Sequence, residues 1–90
     1  MITAKVHFKG KVQGVFFRRS VCDQVQGFSV TGYVQNLPDG SVEAYFQGDK
    51  EEIEDLITQI RKNPGKAVID KIITIYQNNP EKFHDFSIKY

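Results

Sequence analysis

Ninety residues, 40% of them hydrophobic and 26% charged, lie close to the globular norm and exclude a disordered tail or a fibre. Residues 1–90 are expected to form one domain with one core, a radius of gyration near ~12 Å and no room for a separate cofactor domain. The net charge of +1 conceals +5 over residues 1–19, −7 over 20–60 and +3 over 61–90, so the basic start suits either an anionic ligand or solvated lysines.

Val and Ile number nine each against two Leu and three Ala, a branched composition that leans towards a sheet. In residues 2–11, Ile2, Ala4, Val6 and Phe8 alternate with Thr3, Lys5, His7 and Lys9, which predicts a first strand with one buried face. VQGVFF (12–17) is too glycine-interrupted to continue it. Val21 and Val25, four apart, place a short helix over about 18–26. Residues 29–36 and 41–48 read as two strands joined through LPDG, where Asp39–Gly40 is a hairpin signal. Val42, Ala44 and Phe46 share one face of the later strand, and Glu43, Tyr45 and Gln47 the other.

Asp49 followed by Glu52 predicts a capping box at the start of a second helix. Ile53, Leu56, Ile57 and Ile60 form its apolar stripe, and its early acids and late Arg61 and Lys62 suit the helix dipole. Those acids are accordingly read as structural. Asn63–Pro64–Gly65 ends the helix, and strands over 67–76 and 83–90 complete the chain, with Phe86, Ile88 and Tyr90 on one side of the last. The order β-α-β-β-α-β-β predicts an α+β fold, a ferredoxin-like sandwich with two helices on one face of a mainly antiparallel sheet.

Several classes of function find no support. Cys22 is alone, so no intrachain disulfide can form and a reducing, cytoplasmic setting is expected. One Cys and two distant His, His7 and His84, offer no metal-ligand spacing, and no cofactor is expected. Met1 leads straight into strand-like sequence, and no apolar run approaches the ~18 residues needed to cross a bilayer. The sheet lacks the aromatic signature of an RNA-binding ferredoxin-like domain, and the acidic middle repels polyanions.

The segment GKVQGVFFR (10–18) leaves a strand through a glycine-interrupted loop and enters a helix carrying Arg18 in its first turn. Free backbone N–H groups there can face an anion, Gly14 permits unusual backbone angles, and a guanidinium matches phosphate or carboxylate. A helix entered through a glycine turn with a surface arginine has the same spacing. The adjacent rings separate, with Phe17 expected to pack and Phe16 to flank the entrance. Cys22 reads as a core or partly buried thiol, and His7 and His84 as solvent-facing or locally bonded.

The run VQGVFFR (12–18), together with GYVQNLPDGSVEAYFQG (32–48), closely resembles the acylphosphatases, and the likeness extends over the whole chain in length and element order. The resemblance implies the ferredoxin-like fold and metal-free hydrolysis of the carboxyl–phosphate bond of small acyl phosphates, with inorganic phosphate as product and inhibitor. It also implies that the loop Gln13, Gly14, Val15, Phe16 and Phe17 supplies amides to the phosphate, that Arg18 binds it, and that Asn36 orients the attacking water. Departures from the commonest pattern are Tyr33 where Trp is frequent, Ser29 in place of a glycine after the first helix, and the order Pro64–Gly65. None falls in the loop. With no Cys, Ser–His pair or carboxylate in the loop, a phosphoenzyme is not expected, and an oxygen of the substrate phosphate is left to accept the water's proton. Asn36 can also be read as a turn residue before Leu37–Pro38. A monomer is the default, and the alternative to an enzyme is a non-catalytic anion-binding or partner-binding module of the same fold.

Overall fold

In a computed structural model describing residues 1–78 and 81–90, each stretch of alternating sequence becomes a strand. The chain runs β1 (Ile2–Lys11), α1 (Phe17–Val25), β2 (Thr31–Asn36), β3 (Val42–Gly48), α2 (Lys50–Lys62), β4 (Val68–Gln77) and β5 (Phe86–Lys89). The five strands form a sheet in the order β4-β1-β3-β2-β5. Three pairings are antiparallel, and β5 joins β2 in parallel. This is the ferredoxin-like α+β arrangement, with a Cα radius of gyration of 11.8 Å.

The core lies between the sheet and the two helices. Ala4, Val6 and Phe8 of β1, Val34 of β2, and Val42, Ala44 and Phe46 of β3 are buried on one face, against Phe17, Val21 and Val25 of α1 and Ile53, Leu56, Ile57 and Ile60 of α2. The two apolar stripes thus fall where period 3.6 puts them. The helices are tied to each other by polar ends. Gln59 Nε2 donates to Gln24 Oε1, and Gln24 Nε2 donates to the Asn63 carbonyl.

Opposite the helices, β3 buries Glu43 and Gln47 although no helix covers them. Neighbouring strands do so instead. His7, Glu43 and Gln35 stand in one row across β1, β3 and β2, with His7 Nε2 2.8 Å from Glu43 Oε2 and Gln35 Nε2 donating to Glu43 Oε1 at 2.9 Å. Gln47 donates to Thr3 Oγ1 and the Glu81 carbonyl and accepts from the Phe83 amide, clasping the chain that precedes β5.

Three local expectations are corrected. The predicted capping box is not formed: Asp49 occupies the N-cap position without a side-chain bond, and Glu52 accepts from the Ser29 amide 23 residues away. The Ser29 amide is thus engaged by a helix side chain and not by a strand, and β2 begins at Thr31 and not at 29. The last strand is shorter than 83–90, because Phe83 is engaged by Gln47 and Tyr90 extends beyond the pairing.

Candidate active site

The cleft lies at the end of the sheet where β1 runs out into α1. Gly14 takes φ 73° and Phe16 takes φ 59°, ψ 25°, both left-handed, which turns the chain sharply into the helix. Gly14 adopts this geometry without a Cβ penalty, whereas a bulky residue resists it. The two phenylalanines then part. Phe17 is buried and meets Phe8 edge-on with ring centroids 5.2 Å apart, while Phe16 is 82% exposed. Burying a phenylalanine is worth about 1.5–3 kcal/mol and the ring pair about 0.5–1.5 more. Phe17 therefore anchors the helix start, and Arg18 follows it in the first turn.

A hollow of about 450 Å³ opens there. From the loop and helix it is lined by Val12, Gln13, Gly14, Phe16, Phe17, Arg18 and Arg19. Asn36, the last residue of β2, comes from across the sheet, and Ile88 and Tyr90 close a third side. Six of the seven residues named from sequence thus meet at one cleft. Val15 is the exception; it is absent from the lining and packs on the core.

Val12, Arg19, Ile88 and Tyr90 also line the cleft, and the sequence alone does not assign them to it. For Ile88 and Tyr90 a signal existed in the shared side of the last strand. It becomes meaningful only through the parallel register that sets Val34 beside Ile88.

Arg18 is half-buried, and its guanidinium carbon lies 4.9 Å from the Tyr90 ring centroid. Among the described residues no carboxylate pairs with it, whereas the neighbouring Arg19 is engaged by Asp23 at 3.3 Å. A cation held at a cleft without an acid partner favours an anion from outside.

Below the cleft the hairpin is closed on itself. The Leu37 amide donates to the Ser41 carbonyl, the Gly40 amide to the Leu37 carbonyl, and the Ser41 amide and hydroxyl both to Asp39 Oδ1. The two bonds from Ser41 hold the Asp39 carboxyl below its ordinary pKa. Among the described residues no three His, Cys, Asp or Glu side chains gather to hold a metal. Cys22 is partly exposed on α1 and His84 is exposed; neither lines the cleft.

A ferredoxin-like sandwich with an arginine-lined cleft at the strand-to-helix turn defines a small α+β architecture. A family model described as acylphosphatase matches residues 4–88. An acylphosphatase of Syntrophus aciditrophicus is 41% identical over 85 residues, covering 94% of this chain and 88% of that protein. The crystal structure of acylphosphatase from Bacillus subtilis superposes with a TM-score of 0.93 at 27% identity, covering 100% of both chains. An acylphosphatase from Coxiella burnetii gives 0.88 at 32% identity, over 98% of this chain and 92% of that one. The chain belongs to the acylphosphatase family, hydrolases of acyl phosphates.

Proposed function

We propose that residues 1–90 act as one acylphosphatase domain, without a metal or other cofactor, on small acyl phosphates. The phosphate group sits at the loop Gln13–Phe17, where backbone N–H groups point at its oxygens, and Arg18 supplies the charge and a planar set of donors. Asn36 holds a water by its side-chain amide. The water oxygen bonds to phosphorus as the bond from phosphorus to the acyl oxygen breaks, and the electron pair leaves on the carboxylate. A carboxylate is a good leaving group, so no general acid is required. The water's proton passes to a phosphate oxygen, because a neutral amide can align water but cannot take its proton.

Phosphoryl transfer with a loose transition state depends mainly on position and charge, which is what these groups offer. The observation that carries the reading is the convergence of Arg18, free of any acid partner among the described residues, with Asn36 on one cleft beside the Gly14 turn. A monomer in a reducing, cytoplasmic setting, binding neither nucleic acid nor membrane, completes the proposal. No helix among the described residues is long and apolar enough to cross a membrane.

The test is release of inorganic phosphate from benzoyl phosphate by the purified chain in excess EDTA. Sustained turnover is expected. Binding of phosphate without turnover would replace this reading with a non-catalytic anion-binding module.

A further inference from the structure

We infer that Gln13 is a positioning residue whose side chain sets Asn36 against the phosphate loop; this rests on the water-orienting reading of Asn36. The sheet order separates the two halves of the cleft, because β3 lies between β1 and β2. Two strand spacings put the loop after β1 and the end of β2 about 10 Å apart, and no ladder bond joins them directly. Gln13 spans that gap. Its Nε2 donates to the Leu37 carbonyl at 2.9 Å and to the Ser41 carbonyl at 2.9 Å.

The donor and acceptor count is complete on both sides. Leu37 O already accepts from Gly40 N and Ser41 O from Leu37 N, so each carbonyl, with two lone pairs, is filled by one of the two Nε2 protons. Leu37 is bonded directly to Asn36, and Asp39 locks the same turn through Ser41. The hairpin is thus a small closed unit, and among the described residues the Gln13 side-chain amide fastens it to the loop. A loop residue that lacked this group could keep its own backbone shape while Asn36 drifted, and misplacement by about 1 Å costs up to ~10²-fold in rate.

The experiment is a double-mutant cycle on the whole chain with benzoyl phosphate, reading kcat and the inhibition constant of inorganic phosphate separately. Gln13→Met keeps length and removes both donors. It should lower kcat roughly 10- to 100-fold while the phosphate constant moves less than about 3-fold. Combined with Asn36→Ala it should lower kcat no further than Asn36→Ala alone, because both act on one water.

Gln13→Glu adds an independent readout. A carboxylate faces two carbonyls without a proton, whereas the acid form regains one donor, so its kcat relative to wild type should rise as pH falls from about 7 to 5.

Wild-type kcat in Gln13→Met would overturn the inference, as would fully additive losses in the cycle or a fall in phosphate affinity matching the fall in kcat. Wild-type kcat in Asn36→Ala would overturn both the water-orienting reading and this inference. A normal Asn36→Ala defect with an indifferent Gln13→Met would overturn this inference alone.

Discussion

The guanidinium carbon of Arg18 lies over the ring of Tyr90, 4.9 Å from its centroid. Cation–π attraction uses the charge of the group and leaves its in-plane N–H donors for an anion. Arg18→Ala should therefore lower the rate on the order of 10²–10³-fold and weaken phosphate binding with it. Arg18→Lys should regain charge but not the planar fork, giving partial recovery. Wild-type phosphate affinity in the alanine variant would remove Arg18 from the site.

Asn36 should separate from Arg18 in the same assays. Asn36→Ala is expected to cut kcat sharply while inorganic phosphate still competes nearly as well as against wild type. Should kcat, phosphate affinity and melting temperature all fall together, Asn36 is an anchor of the hairpin and the role in catalysis is lost.

How much of this cleft could be read in advance depends on how local its parts are. Gly14, Phe17 and Arg18 lie within one five-residue stretch, so a strand, a glycine turn and a helix start suffice to bring them together. Ile88 and Tyr90 arrive through the parallel pairing of β5 with β2, which no local pattern encodes. The side-chain role of Gln13 is hidden for the same reason, its partners lying 24 and 28 residues onward. Glu52 shows a local rule losing to a distant donor: the capping-box spacing is present, but the Ser29 amide offers its carboxylate a different bond. The alternation in β3 correctly separates Val42, Ala44 and Phe46 from Glu43, Tyr45 and Gln47, yet the burial of Glu43 and Gln47 follows from partners on adjacent strands.

Activity and stability should respond differently to pH. The proposed site uses backbone amides, a guanidinium and a neutral amide, group types that do not titrate near neutrality. Turnover should stay nearly flat between about pH 6 and 8 once substrate ionisation is removed, and should survive EDTA and the double change His7→Gln with His84→Gln. A bell-shaped kcat profile with two enzyme pKa values in that range would reveal an acid–base pair absent from the proposed mechanism.

Stability has its own acid limit. Burial pushes the Glu43 carboxyl up, but hydrogen bonds from His7 and Gln35, with the charges of His7 and Lys5, hold it below its ordinary value of 4.5. The folded chain then binds this proton less tightly than the unfolded chain. The contribution is present above about pH 4.5 and is lost as pH falls through the lower folded value. Glu43→Gln should flatten the decline in melting temperature below about pH 5. An unchanged acid limb would assign that decline to other carboxylates.

Phe16 offers a test of backbone strain. Its ring is 82% exposed while its φ is 59°, so glycine loses little burial and removes a penalty of roughly 1–2 kcal/mol for a left-handed non-glycine residue. Against glycine's entropic cost of about 0.5–1 kcal/mol, Phe16→Gly should leave a net gain of about 0–1.5 kcal/mol and hold or raise the melting temperature, by several degrees at the upper end. A drop would mean that the ring makes contacts worth more than the strain.

The sheet order also governs how quickly the molecule can be made. Thr3 faces Gln77 in the pairing of β1 with β4, and Gly32 faces Phe86 in that of β2 with β5, so both edge pairings close loops of more than fifty residues. Such closures pay chain entropy before any contact rewards it, which puts refolding towards the millisecond-to-second range rather than microseconds. The cleft draws one wall from the turn after β1, another from the end of β2 and a third from β5. It cannot exist in part. Hydrolysis should therefore return after dilution from denaturant with the same time constant as tyrosine fluorescence, and a burst of activity ahead of that signal would mean that the walls assemble without the sheet.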